Sequence, residues 1–172
     1  DVPVVVAPAM HEPMYDHPGV LDAIGRIEEW GVDFVDPRIE EGKAKIATEA
    51  AIITEVARAT TPQNLAGKEI IVTSGATSEA IDPIRVLTNR ASGATGRAVA
   101  RACHISGGDV TLVHDGPEVH DVDTASVESA AEMLAAVEGA APDADVLISA
   151  AAVSDYTIEK SDTKLRSGEP RT

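Results

Sequence analysis

Apolar residues along this chain fall into strand-length runs and helical stripes, separated by short polar or proline-containing breaks. Residues 2–7 form a continuous apolar run, ending in a proline-punctuated loop over residues 8–15. Apolar positions at Val20, Leu21, Ile24 and Ile27 carry a helical period over residues 20–30, which Gly31 terminates. Residues 32–35 alternate as a short strand, and residues 40–45 read as a polar loop. Thr48 is placed to cap a helix reaching Ala59, with Ile52, Ile53 and Val56 on its inner face. Thr60, Thr61, Pro62, Gln63 and Asn64 break that pattern and mark a domain boundary.

A second unit begins with a strand at 69–73. A helix from Ser92 or Gly93 to Ile105 follows, closed by Gly107 and Gly108. A strand at 109–113 comes next, then a helix over 127–137 capped by Thr124 or Ser126, then a strand at 145–149. This strand–helix–strand–helix–strand order predicts a parallel sheet with right-handed crossovers. In such sheets ligands sit beyond the carboxyl ends of the strands. Two loops of small residues, 74–78 and 150–155, leave strands at that end and predict a shared pocket.

Composition changes the picture in two ways. Fourteen basic residues against 29 acidic ones give a formal charge of −15, a surface that repels phosphate backbones and excludes nucleic acid as a partner. With lysine at only five positions and aromatics at 2%, the acidic surface suggests adaptation to high salt. The single cysteine, Cys103, excludes an internal disulfide, and the longest apolar runs are strand-sized rather than membrane-spanning. A cytoplasmic setting is the expectation. A strand-like start at Asp1 and an end at Pro170-Arg171-Thr172 give the expectation of an internal piece of a longer polypeptide.

The candidate chemistry gathers around the loops. Ser92-Gly93-Ala94-Thr95-Gly96 opens a helix and can turn N–H groups and the positive helix end toward a phosphate, although Ser and Gly are also ordinary helix-start residues. It is not a P-loop, since no Gly-Lys-Ser/Thr follows, and the dinucleotide glycine spacing is absent. Arg85 and Asn89, four apart, would share a face if their segment were helical. Asp155 after the last strand can hold a ribose hydroxyl or a metal, and Lys164 can close on phosphates. The five histidines, at 11, 17, 104, 114 and 120, show no metal-ligand spacing, and Cys103 reads as a small buried residue rather than a nucleophile.

Taken together, Thr73-Ser74-Gly75-Ala76-Thr77-Ser78-Glu79-Ala80-Ile81-Asp82-Pro83-Ile84-Arg85 and Asn89-Arg90-Ala91-Ser92-Gly93-Ala94-Thr95-Gly96 resemble the nucleotide loop of phosphopantothenate–cysteine ligases. Ala150-Ala151-Ala152-Val153-Ser154-Asp155-Tyr156 resembles that family's second loop, and Thr163-Lys164-Leu165 its flexible lysine segment. Upstream, Pro8-Ala9-Met10-His11-Glu12-Pro13-Met14-Tyr15 resembles the substrate clamp of flavin-dependent phosphopantothenoylcysteine decarboxylases. The whole is similar to the junction of the bifunctional coenzyme A biosynthesis proteins. The implied architecture is α/β: the end of a flavodoxin-like decarboxylase domain (residues 1–60), a linker (61–67) and an incomplete Rossmann-like, parallel-sheet ligase domain (68–172).

The resemblance implies a ligase that uses CTP or ATP with Mg²⁺ to activate 4′-phosphopantothenate as an acyl-nucleotide, which cysteine then attacks. By similarity Asn89 would hold the acyl-nucleotide and Arg85 would serve the second half-reaction. Gly75, Ser92 and Gly93 would contact phosphate, Ala151, Ala152 and Asp155 would line the nucleoside pocket, and Lys164 would close over it. FMN would belong to the decarboxylase part, where His11 stands at a position the family usually fills with Asn; imidazole can still donate to a substrate carboxylate, with a charge that varies near neutral pH. The implied assembly is a homo-oligomer without nucleic-acid or membrane partners, and residues 1–172 alone are expected to be inactive. A non-catalytic nucleotide-sensing module is the alternative reading. A short-chain dehydrogenase is disfavoured by the missing dinucleotide glycines.

Overall fold

The structure, a computed structural model, describes residues 2–117, 119 and 122–165. His120 and the terminal Pro170, Arg171 and Thr172 lie outside the described residues. The chain folds as two compact units, one of residues 1–66 with 104–107 and a second of residues 67–103 with 108–172.

In the first unit, β1 (Val4–Val6) pairs in parallel with β3 (Val32–Phe34) across α2 (Pro18–Glu28). Between them the loop expected at 8–15 is structured: β2 (Met10–His11) runs into a one-turn helix, α1 (Glu12–Tyr15), with Pro13 in its first turn, where a missing N–H costs nothing. The polar stretch expected to be a loop at 40–45 is instead a hairpin of β4 (Arg38–Glu40) and β5 (Lys43–Lys45), with β2 paired on the other side of β5. Glu41 and Gly42 both take positive φ, 53° and 71°, which matches a two-residue turn to the right-handed twist of its strands.

Helix α3 (Glu49–Thr60) starts where expected, because Thr48 Oγ1 accepts the Ala51 N–H at 3.1 Å. Its inner face is different. Ala51 and Thr54 are buried, with Ile52 partly so, whereas Ile53 and Val56 are exposed. Small Ala47 and Ala51 let the helix approach Val35 closely, and the buried Thr54 hydroxyl is satisfied by donating to Ala50 O at 2.9 Å.

The second unit is built on β6 (Glu69–Ser74). A hairpin of β7 (Ser78–Ala80) and β8 (Val86–Thr88) follows, then α4 (Ala94–Ile105), β9 (Asp109–His114), β10 (Asp123–Ser126), α5 (Ala130–Ala140) and β11 (Val146–Ser149). The main sheet has the order β10-β9-β6-β11 with every pair parallel, and Ile70, Val72 and Leu112 are almost fully buried in its centre. On one face Ile71 and Val113 pack against Met133 of α5. On the other, Ser74 meets Gly96 of α4, where a Cβ would lie 2.5 Å from Ser74 Cβ.

Two expectations in this unit are corrected. Thr124 and Ser126 are strand residues, and the fifth helix begins three residues later than expected. Ser129 caps it with a reciprocal box: Ser129 Oγ accepts the Glu132 N–H at 3.2 Å, and Glu132 Oε2 accepts the Ser129 N–H at 3.2 Å. Ser129→Ala is expected to cost about 1 kcal/mol, read from the urea midpoint; an unchanged midpoint would show the cap to be idle. Arg85 and Asn89 do not share a helical face either. Pro83 lacks an N–H, and the Asp82 side chain takes the N–H groups of Ile84 and Arg85 at 2.8 Å each, so the chain turns back as a hairpin.

Candidate functional site

The β6–β11 pairing continues past the ends of both strands into the two small-residue loops. Ala76 and Ala152 form a parallel bridge. Ala152 N–H donates to Gly75 O at 2.8 Å, and Thr77 N–H donates to Ala152 O at 3.3 Å. Hydroxyl groups complete the join: Thr73 Oγ1 accepts the N–H groups of Ala150 and Ala151, at 3.2 and 3.3 Å, and Thr77 Oγ1 accepts that of Ser154 at 2.7 Å. Loops 74–78 and 150–155 therefore leave the same end of the sheet side by side.

The helix-opening turn closes on the same point. Gly93 takes φ 67° and Gly75 φ 84°. Ser74 Oγ donates to Gly93 O at 2.8 Å, and a Cβ on Gly93 would sit 2.9 Å from Gly75 N. Only glycine permits both the left-handed backbone and this approach. Ser92 Oγ accepts the Ala94 N–H at 3.4 Å at the start of α4, and the Arg97 guanidinium lies beside Gly93 and Gly116. The arrangement presents backbone N–H groups, a helix N-terminus and a cation at one place, which suits an anion.

Asn89, exposed at the end of the hairpin, donates through Nδ2 to Ala152 O at 3.2 Å and Val153 O at 3.3 Å. Thr88 Oγ1 donates to Thr77 O at 2.9 Å. The Asn89 side chain thus stands against the second loop, although the helical face that first linked it with Arg85 does not exist. Arg85 instead reaches the 161–165 segment, with Nη2 donating to Leu165 O at 3.3 Å. Ala151 and Ala152 are half-buried, while Asp155 and Lys164 are exposed. Of the expected site residues, Gly75, Arg85, Asn89, Ser92, Gly93, Ala151, Ala152, Asp155 and Lys164 lie in the second unit. His11 lies in the first, on β2 opposite Lys43.

Sequence reasoning passed over four residues that hold this site. Asp115, just beyond β9, accepts the Ala76 N–H through Oδ1 at 3.2 Å, so a carboxylate already touches the glycine loop. His114 is buried, its Nδ1 accepting the Gly116 N–H at 2.9 Å, and its Nε2 has no partner among the described residues. The adjacent His-Asp pair at a strand's carboxyl end was the available signal. Thr73 and Thr77 look like ordinary strand and loop hydroxyls, and only the pairing of β6 with β11 reveals what they accept.

Asp82, unlike the exposed Asp115, is buried, with no exposed side-chain surface. Burial pushes its carboxyl upward, but the N–H groups of Ile84, Leu165 and Arg85, with the Arg85 guanidinium, outweigh that and hold it below the ordinary carboxylate value. A depressed folded-state pKa gives a contribution present in full above the unfolded value of about 4 and lost as pH falls through the folded one. The stability difference between wild type and Asp82→Asn should therefore stay constant from pH 8 to about 5 and shrink only in stronger acid; a difference that vanished near neutrality would contradict this. Burial pushes the Cys103 thiol up, which keeps it protonated and unreactive. Among the described residues no three His, Cys, Asp or Glu side chains converge to hold a metal ion.

The fold and the loops define an α/β, parallel-sheet protein with two glycine bends in contact at the carboxyl ends of its strands. Residues 65–171 match the DNA/pantothenate metabolism flavoprotein C-terminal domain, and the chain belongs to that family; residues 1–61 match the Flavoprotein family. The coenzyme A biosynthesis bifunctional protein CoaBC of Thermococcus kodakarensis is 44% identical over 173 residues, which cover 98% of this chain and 43% of that protein. The same protein of Mycobacterium tuberculosis is 41% identical over 172 residues, covering 90% of this chain and 40% of its own length. A crystal structure of the C-terminal domain of a CoaBC protein matches with a TM-score of 0.50 and 39% identity, over 56% of this chain and 55% of that one. The chain is thus a homologue of these bifunctional proteins and spans well under half of their length. No described helix is long and apolar enough to cross a membrane.

Proposed function

We propose that residues 68–172 form the nucleotide-binding part of a phosphopantothenate–cysteine ligase, and residues 1–60 the end of a phosphopantothenoylcysteine decarboxylase, joined by a linker at 61–67. The observation that carries the reading is the contact of two glycine bends, Gly75 against Gly93, with the Asn89 side chain bonded to the neighbouring loop at Ala152 and Val153. Names of the homologous proteins supply the pathway, coenzyme A biosynthesis.

In the first step a carboxylate oxygen of 4′-phosphopantothenate attacks the α-phosphorus of CTP and pyrophosphate leaves. In the second, the amine of cysteine attacks the acyl carbon, the nucleoside monophosphate leaves and the amine loses a proton. Both steps build negative charge on oxygen, and fixed N–H donors stabilise it without reorganisation. Gly75, Ser92 and Gly93 would face the phosphates, Ala151, Ala152 and Asp155 the nucleoside, and Asn89 the acyl-nucleotide. Arg85 would serve the amide-forming step, and Lys164 would close over the bound nucleotide.

Since no trio of ligating side chains converges among the described residues, Mg²⁺ would be held chiefly by phosphate oxygens and water. FMN would serve the decarboxylase part, with His11 donating to the substrate carboxylate. The described glycine bends of the first unit do not fit as its phosphate cradle: Gly31 follows the end of α2 and Gly42 turns a hairpin. No step is therefore assigned to it. The working protein would be cytoplasmic and homo-oligomeric, and residues 1–172 alone would not complete either reaction.

In a polypeptide carrying the whole ligase domain, CTP with Mg²⁺ should release pyrophosphate in step with amide formation, and only when phosphopantothenate is present. Pyrophosphate release that ignores phosphopantothenate, or nucleotide binding without any turnover, would favour a sensing module instead.

A further inference from the structure

We propose that Asp82 is a positioning residue that sets Lys164 over the nucleotide cleft, an inference that rests on the ligase reading above. A carboxylate that only closed its own turn would need one oxygen, and Oδ1 does that work by accepting from Ile84 and Arg85. Its second oxygen reaches across the unit. Asp82 Oδ2 accepts the Leu165 N–H at 3.1 Å, next to the exposed Lys164, and lies 3.5 Å from Arg85 Nη1. Arg85 Nη2 holds the Leu165 carbonyl at 3.3 Å, so both backbone polar groups of Leu165 are taken by the 81–85 turn. The other end of the segment is pinned as well, with Ser161 N–H donating to Ile81 O at 3.0 Å.

Lys164 thus lies on a short stretch fixed at Ser161 and Leu165, with its own side chain left in solvent. The same turn joins β7 to β8, and β8 ends one residue before Asn89. One hairpin therefore places the Asn89 amide and tethers the lysine segment. Holding the backbone on both sides removes freedom that a long, flexible lysine would otherwise lose on meeting phosphate, so the tether strengthens the contact without touching the ligand. Asp82 is suited to this because it is buried and fully engaged, and cannot itself swing toward the nucleotide.

The test is a double-mutant cycle in nucleotide–Mg²⁺ affinity, measured by calorimetry on a polypeptide carrying the whole ligase domain, with CTP and, if CTP does not bind, ATP. Lys164→Ala should weaken binding about tenfold, and Asp82→Asn should weaken it by a similar factor. If Asp82 acts through Lys164, adding Asp82→Asn to Lys164→Ala should change nothing further, whereas a role in general stability would multiply the losses. Leu165→Pro removes the N–H that Oδ2 accepts while leaving the buried acid in place, and should behave as Asp82→Asn does. Tryptic cleavage after Lys164 should be faster in Asp82→Asn than in wild type. Wild-type affinity in Asp82→Asn and Leu165→Pro, multiplied losses in the double variant, or equal cleavage rates would overturn the proposal alone. A wild-type polypeptide carrying the whole ligase domain that binds neither CTP nor ATP would overturn the ligase reading and this proposal with it.

Discussion

Replacing Asn89 with Asp in a polypeptide carrying the whole ligase domain lowers amide formation at least about a hundredfold, the usual scale for losing a fixed oxyanion donor. Asn89 Nδ2 donates to Ala152 O and Val153 O. Aspartate cannot donate; it would set a charged oxygen against two carbonyl oxygens and beside the proposed phosphates. CTP affinity should fall far less, because Ala152 N–H to Gly75 O and Ser154 N–H to Thr77 Oγ1 still hold the second loop in place. The measurement is product formation by mass spectrometry, with CTP binding followed in parallel. Unchanged turnover would remove Asn89 from the mechanism. An equal collapse of binding and turnover would make it a loop fastener only.

Gly96→Ala is expected to cause a large stability loss through a single added methyl group. The position is buried in α4, and the new Cβ would lie 2.5 Å from Ser74 Cβ and 2.9 Å from Ser74 Cα. These atoms belong to the central strand and cannot rotate aside as a flexible side chain would. Either α4 shifts outward or Ser74 releases Gly93, and overpacking of this kind costs about 1–3 kcal/mol, here toward the upper end because backbone must move. Chemical denaturation should show the drop. Nucleotide affinity should fall with it, since the same contact sets Gly93 against Gly75. A variant of wild-type stability would mean that α4 does not pack this closely.

Much of this architecture was legible because it rests on strong local signals. The apolar run of β6, the glycine closure of α4 and the Thr48 cap each follow from a short stretch of sequence. The misreadings arose where tertiary context decided. The 38–45 hairpin carries alternating charges and almost no apolar period, so nothing local distinguished it from a loop until Glu41 and Gly42 were seen in positive φ. Ile53 and Val56 looked like core residues by spacing, yet the close approach of α3 selected its alanines. The 78–88 hairpin went unread, and Pro83 with the Asp82 side chain rules out the helix on which a shared face of Arg85 and Asn89 was conditional.

For the site, the sequence supplied the glycines, Asn89 and Lys164. It did not supply what binds them together. Thr73 and Thr77 matter because β6 pairs with β11, and Asp115 matters because β9 pairs with β6; both are contacts between residues far apart in the chain. Asp82 closes a local turn with one oxygen, but its second oxygen is spent on Leu165, 83 positions away.

Amide chemical-shift mapping of the whole chain with CTP and Mg²⁺ probes the meeting of the two glycine bends most directly. The account predicts one set of responding amides: Gly75, Ala76, Gly93 and the 150–155 loop, shifting together at a single affinity. Changes confined to the first unit, or a response of one bend without the other, would contradict it.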